Sequence, residues 1–354
     1  MRISLVMPNY NHAAYLPASV GGMLAQTRPA DEIIILDDAS TDDSVAVIEQ
    51  LTKAHPGVRI VRHTERGGVV RALNAGLAMA SGDVVAFLGA DDQLYPEFLE
   101  TLGPMLEAHP EAGFGCARVE LRDHAGQRAG ERPIVRPTGF AGYVTPAAMR
   151  RQLQHADNFF LGQVTLYRRS RLEELGGFDA SLGSLSDSML QRRLAARWGY
   201  VFVPQILGIW RVYGANYSVA SATDPKVLED MVATARRVLG DEPGSLYPPG
   251  YADLFERRLR FNSARLLTPR LAAEPATAGP IASIMRGGPG DRRVLDGVAR
   301  LGPLSPLLAT IWLTLRLRPV APSWLIAEAA CRLLARVARP SPPKPAPPPT
   351  VSRH

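Results

Sequence analysis

The sequence predicts an α/β fold: a mainly parallel central sheet with helices on both faces, then a C-terminal helical extension. Three observations carry this. Short apolar runs alternate with segments of helical periodicity through the first hundred residues, the pattern of parallel strands joined by crossover helices. Polar clusters follow the first, second and fourth of these runs, where open sheets of this kind bind ligands. Beyond residue 224 the periodicity is helical, apart from a Gly/Pro-rich break near 275–291.

Each element follows from its residues. Ile3–Met7 is a buried strand, and Tyr15, Leu16, Ser19, Val20, Met23 and Leu24 then recur at helical spacing. Ile33–Leu36 is the second strand. Asp38-Ala39-Ser40-Thr41-Asp42 is a turn with helix-capping residues, and Val45 to Leu51 is helical. Val58–Val61 makes a third strand. Gly67 and Gly68 open a helix that runs through Met79, and Val84–Leu88 is the fourth strand, closed by Gly89-Ala90-Asp91-Asp92. From 113 to 215 the pattern is less regular. Phe114–Leu121 and Val164–Tyr167 read as strands, Asp123 to Phe140 as a polar loop, Met189 to Trp198 as a helix, and Val201–Val203 and Leu207–Trp210 as two short strands.

Composition excludes several classes. Of 354 residues, 46% are hydrophobic and 21% charged, the balance of a folded chain. The net charge of +6 is unevenly placed: after residue 300, seven basic residues face Glu328 alone, so the first 300 residues sum to zero. Cys116 and Cys331, far apart and without C-x-x-C spacing, give neither a disulfide framework nor a zinc site and fit a reducing compartment. The apolar N-terminal stretch is cut by Pro8, unlike a secretory signal. No run reaches the roughly 18 apolar residues of a spanning helix. A P-loop, a G-x-G-x-x-G after strand one and a G-x-S-x-G elbow are all missing. Arg257-Arg258-Leu259-Arg260 lacks the aromatic interleaving of a nucleic-acid module and reads as a helix surface, so nucleic acid is not an expected partner.

The chemistry-bearing residues sit at strand ends. Asp37 and Asp38 close strand two; Asp91 and Asp92 close strand four. Two carboxylate pairs converging on one crevice suit a hard divalent cation, Mg²⁺ or Mn²⁺, and a polar ligand. Each pair would serve equally well to cap a helix or solvate a loop.

A series of motifs resembles family 2 glycosyltransferases in order and spacing over about residues 1–220. Met7-Pro8-Asn9-Tyr10-Asn11 is similar to that family's opening, as is Gln26 near the end of the first helix. Asp31-Glu32-Ile33-Ile34-Ile35-Leu36-Asp37-Asp38-Ala39-Ser40-Thr41-Asp42 resembles its "E-I-I-V-D-D-x-S-x-D" element. Asn74-Ala75-Gly76 followed by Ser81-Gly82-Asp83 resembles "N-x-G…A-x-G-x". Phe87-Leu88-Gly89-Ala90-Asp91-Asp92 resembles the D-x-D metal motif, and Gly176-Gly177-Phe178-Asp179 the acceptor-side turn. Trp210-Arg211 stands where the family often has Tyr-Arg.

The resemblance implies a GT-A fold, Rossmann-like in its parallel sheet, and an inverting transfer of a sugar. The donor would be a nucleotide sugar, most often UDP-linked, and the acceptor a glycan or lipid-linked molecule. Asp37 or Asp38 would bind the nucleobase with Pro8, Asn9 and Tyr10 beside it. Asp91 would hold the cation, with Asp92 beside it. Arg71 either adds positive charge at the donor or belongs to a solvated helix face, and Arg211 joins the substrate-binding set. Asp187, in Ser186-Asp187-Ser188, takes the place of the family's catalytic base and equally suits an N-cap for the 189–198 helix. Asp179 reads as a turn residue. Three departures stand out. Gly89 replaces the first Asp of the D-x-D motif, Ser186 replaces a Glu, and Tyr213 stands where many members have a metal-holding His. They motivate an alternative, a catalytically silent protein that binds nucleotide sugars or acts as a scaffold on the same fold.

These shifts divide the chain into the α/β domain (1–220), a helical extension (221–300), basic amphipathic helices (301–339) and a Pro-rich, disordered tail (340–354). Leu304–Leu317 and Trp324–Val337 are apolar with embedded arginines. Two readings stay open: they lie on an anionic membrane surface, or they pack on the catalytic domain. The expected location is the cytoplasm, with peripheral attachment to the inner face of the plasma membrane under the first reading.

Overall fold

The structure, a computed structural model, describes residues 1–320 apart from 132–136, 158–161, 214–216 and 245. The helix expected over 324–337 and the tail of 340–354 lie outside the described residues. Ten strands form one sheet: β1 Ile3–Asn9, β2 Glu32–Asp37, β3 Val58–Arg62, β4 Val84–Phe87, β5 Gln93–Leu94, β6 Phe114–Arg122, β7 Arg128–Glu131, β8 Gly142–Val144, β9 Thr165–Arg168 and β10 Tyr200–Arg211. Their order is β3-β2-β1-β4-β9-β6-β10-β5, with β7 on β6 and β8 on β10. The first four are parallel to one another. The antiparallel β9 intervenes before β6 and β10, so six strands point one way.

The helices are α1 Leu16–Leu24, α2 Ser44–Thr52, α3 Val69–Met79, α4 Phe98–Ala108, α5 Pro146–Leu153, α6 Arg169–Glu174, α7 Ser186–Trp198 and α8 Tyr217–Thr223, followed by α9 Pro225–Asp241, α10 Tyr251–Leu267, α11 Ala278–Ile284, α12 Pro289–Ala299 and α13 Ser305–Leu317. In β1, Ile3, Leu5, Val6 and Met7 are all fully buried, as a central parallel strand covered on both faces requires. Helix α3 lies close enough on β1 that a Cβ at Gly76 would stand 2.3 Å from Val6 Cγ1. That closeness explains the glycine of the Asn74-Ala75-Gly76 motif.

Four expectations change. The two short strands after 200 are one strand, β10. Pro204 cannot donate to the ladder, and the chain absorbs it through register shifts between Phe202, Ile206 and Gly208. The polar loop after 122 contains β7, antiparallel to β6. The Gly/Pro-rich break near 275–291 holds α11 and the start of α12. The arginines of 257–260 are only partly a solvated surface: Arg257 is exposed, whereas the other two are buried. Arg258 and Arg260 are 6% and 2% exposed, Arg258 paired with Asp157 at 3.1 Å and Arg260 with Glu229 and Glu256 at 2.6 and 2.8 Å.

Helices α9 and α10 join the extension to the sheet domain. Ala235, Val238, Tyr251 and Phe255 enter the main core. Leu228, Val232, Ala264 and Leu267 enter a second core with α11 to α13. No helix among the described residues is long and apolar enough to cross a membrane.

Candidate active site

A cavity of about 1000 Å³ opens beyond the carboxyl ends of β1, β2 and β4. Pro8, Asn9, Tyr10, Asp38 and Arg71 line one side, and Asp91, Asp92 and Asp187 also reach its wall. Eight of the ten residues expected at the site therefore share one space. Asp37 and Arg211 do not line it.

Asp37 is the last residue of β2, in register with Asn9 at the end of β1. Its carboxylate accepts hydrogen bonds from Asn9 Nδ2 (2.8 Å) and from the Ser40 amide and hydroxyl (3.0 and 2.6 Å). It is 2% exposed and ties the two strand-end loops together. Asp38, one residue on, reaches the cavity and accepts from the Gly67 and Gly68 amides (2.9 and 2.7 Å), with His63 Nδ1 at 3.1 Å. Gly68 has φ +85°, a conformation that suits glycine and aims the amide at Asp38 from the start of α3. Burial works to raise the Asp38 pKa, yet the Gly67 amide, His63 and the Gly68 amide hold the carboxyl below its usual range. Arg66 lies over the Tyr10 ring at 4.1 Å, and both line the cavity.

The second acidic pair follows β4. Asp92 is 5% exposed and accepts the Arg211 backbone N–H at 3.0 Å. Burial and the adjacent Asp91 push its pKa well up. Arg211 thus contributes its amide, while its side chain turns to the Tyr15 ring at 5.4 Å. Tyr213 donates its hydroxyl hydrogen to Asp91 Oδ2 at 3.0 Å and stands 3.4 Å from His12 Nε2. Burial and the Asp91 charge push the phenol up, so it stays neutral. Gly89 has a steric role: a Cβ there would lie 3.0 Å from both Asp91 Oδ1 and Asp92 Oδ2. Among the described residues, no group of three His, Cys, Asp or Glu side chains could hold a metal by itself.

At the far end, α7 begins at Ser186, earlier than its periodicity suggests. Asp187 therefore lies inside the first turn and is not the N-cap, which is Leu185. Its Oδ1 accepts the Ser188 amide at 2.6 Å. Gly162 faces it, and a Cβ there would be 2.4 Å from Oδ2. Gln163 and Ser186 also line the cavity, and their Oε1 and Oγ atoms are buried with no partner among the described residues. Tyr217, 55% exposed, and Trp210 complete this end.

Two motifs distant in sequence meet here. Asn74 Nδ2 donates to the Phe178 carbonyl at 2.8 Å, and the Phe178 amide donates to Asn74 Oδ1 at 2.9 Å. Gly176 and Gly177 supply the positive φ values of that turn. Asp179 accepts from the Ser181 amide at 2.8 Å, the turn role expected of it. Gln26 is saturated by Gly22, Tyr95 and Leu99 and braces α1 against the start of α4, away from the cavity. Sequence reasoning missed His12, Gln163 and Tyr217. Only His12, beside the strand-one motif, carried a positional signal.

Comparison with known proteins agrees with this geometry. A family model described as Glycosyl transferase family 2 matches residues 4–176. An uncharacterised glycosyltransferase of Nostoc is 41% identical over 32% of this chain and 35% of its own length. An uncharacterised protein of Mycobacterium tuberculosis is 31% identical over 64% of this chain and 72% of its own. The chain thus spans about a third of the length of the first relative and most of the second. Among solved structures, the mannosyltransferase PcManGT from Pyrobaculum calidifontis, in complex with GDP-Man and Mn²⁺, is 23% identical. It superposes with a TM-score of 0.59, covering 95% of this chain and 88% of that one, and has the same GT-A fold. On these matches, the chain belongs to glycosyl transferase family 2.

Proposed function

We propose that the protein is an inverting glycosyltransferase, working in the cytoplasm, that moves a sugar from a nucleotide-linked donor to a glycan or lipid-linked acceptor. A UDP-linked donor is the expected class. One observation carries the reading: Asp38, Asp91 and Asp187, from three separate stretches of chain, line a single cavity.

Asp38 is a fixed, ionised acceptor and suits an N–H of the donor nucleobase. Arg71, on the first turn of α3, adds positive charge on the same wall, where a helix N-terminus also favours a diphosphate. Asp91 is the residue to hold a divalent cation, Mg²⁺ or Mn²⁺. It offers hard oxygen ligands at the cavity wall, beside the buried Asp92. When bound, such a cation stabilises charge on the leaving diphosphate. The GDP-Man and Mn²⁺ held together in the Pyrobaculum enzyme support this choice.

Asp187 takes the proton of the acceptor hydroxyl as its oxygen bonds to the anomeric carbon and the bond to the diphosphate breaks on the opposite face. The catalytically silent alternative draws on Gly89 and Ser186, yet both replacements leave Asp91 and Asp187 on the cavity wall.

The test is release of nucleoside diphosphate with Mn²⁺ across UDP- and GDP-linked sugars. Turnover by the wild type that disappears in Asp91→Ala supports the enzyme. Silence across the whole panel, with and without acceptor sugars, supports the binding protein instead.

A further inference from the structure

Helix α13 is apolar on two opposite sides. Ser305, Ala309, Leu313 and Leu317 are buried, the last three in the second core. On the other side Leu304, Leu307, Ile311 and Leu315 form a row, 59%, 60%, 47% and 63% exposed. The spacings of three and four residues place them along one line of the helix. A helix meant to face water carries polar residues there, and a contiguous apolar patch marks a surface that binds something. At the C-terminal end of the row, Arg257, Arg316 and Arg318 line a recess with Leu315 and Leu317. Arg316 is held by Asp291 at 2.7 and 3.0 Å. Arg257 and Arg318 are exposed and have no ion pair among the described residues. The sequence after residue 300 carries the whole net charge of +6.

We propose that this face docks the protein on an anionic phospholipid membrane. The row calls for an apolar layer that can accept four leucine-sized side chains. The recess and the basic sequence beyond it call for negative charge at the surface of that layer. A protein groove meets the first demand. A bilayer with anionic headgroups meets both, with acyl chains for the row and phosphates for Arg257 and Arg318. The inference goes beyond the transferase reading and does not depend on it, because binding is measured without turnover.

The experiment is flotation of the full chain with vesicles of phosphatidylglycerol and phosphatidylcholine, and with phosphatidylcholine alone. The wild type should float with the anionic vesicles, less so at high salt, and stay down with the neutral ones. L307E/I311E changes two exposed positions. Thermal unfolding should match the wild type, while vesicle partitioning falls at least about tenfold. R257E/R318E should also bind less and lose much of the salt dependence. The proposal is overturned if the wild type does not float with anionic vesicles, or if L307E/I311E floats equally well. It is also overturned if the wild type self-associates through this row without binding vesicles, which would assign the face to a second copy.

Discussion

Tyr213 donates its hydroxyl hydrogen to Asp91 Oδ2 across 122 residues of sequence, at 3.0 Å. The Tyr15 ring stacks on Tyr213 with centroids 5.7 Å apart, which fixes the phenol. Asp91 thus has one oxygen oriented by a neutral donor, as second-layer groups orient metal ligands elsewhere.

Tyr213→Phe keeps the stack and removes the hydroxyl that bonds Asp91 and meets His12. Mn²⁺ titration in the presence of UDP or GDP should show affinity about tenfold weaker, the usual cost of losing such a partner. Tyr213→His, which restores a donor, should lose less. Equal affinity in wild type and Tyr213→Phe would remove Tyr213 from the account.

Gly162 leaves room for Asp187. A Cβ there would be 2.4 Å from Oδ2, so Gly162→Ala must displace the carboxylate. A displacement near 1 Å costs about a hundredfold in turnover, while donor binding at the other end of the cavity should hold. A kcat within a factor of about three of wild type would show that the position of Asp187 does not matter.

Asp157 is fully buried between Arg192 on α7 and Arg258 on α10, at 2.7 and 3.1 Å, and accepts the Tyr251 hydroxyl at 3.0 Å. Burial works to raise its pKa, but the charges of Arg192 and Arg258 hold the carboxyl below its usual range. Its stabilising contribution is therefore complete above the unfolded pKa, about 3.9, and is lost as the pH falls through the lower folded value. Asp157→Asn should cost about 3 kcal/mol at pH 7, because two buried arginines lose their partner. Denaturant unfolding should show the gap to wild type closing below about pH 4. A pH-independent gap would mean that the charge of Asp157 is not what stabilises the fold.

Much of this was legible because the informative residues obey local rules. Largely buried apolar runs gave β1, β2 and β4, and the paired acidic residues fell at the strand ends. The Asn74 and Gly176-Gly177-Phe178 motifs were readable singly; that they bond to each other was not, because contact across 104 residues depends on the packing of α3. Asp37 and Asp38 look alike in sequence. They part because Asp37 ends the strand in register with Asn9 and meets Ser40, while Asp38 lies one residue beyond the ladder and turns to Gly67 and Gly68. Arg211 misled because it acts through its backbone amide. Tyr213 and His12 lie 201 residues apart, and no periodicity connects them. Pro204 reads as a strand break, and only the shifted register of β6 against β10 lets the strand continue.

The central claim is that Asp187 acts as the base in a cavity it shares with the donor residues. Asp187→Asn keeps the size and the hydrogen bond to Ser188 but cannot accept a proton. Its sugar-transfer rate at saturating donor and acceptor measures that claim most directly. The account predicts a kcat lower by about 10²- to 10⁴-fold with the affinity for nucleoside diphosphate unchanged. Transfer by Asp187→Asn at close to the wild-type rate would contradict it.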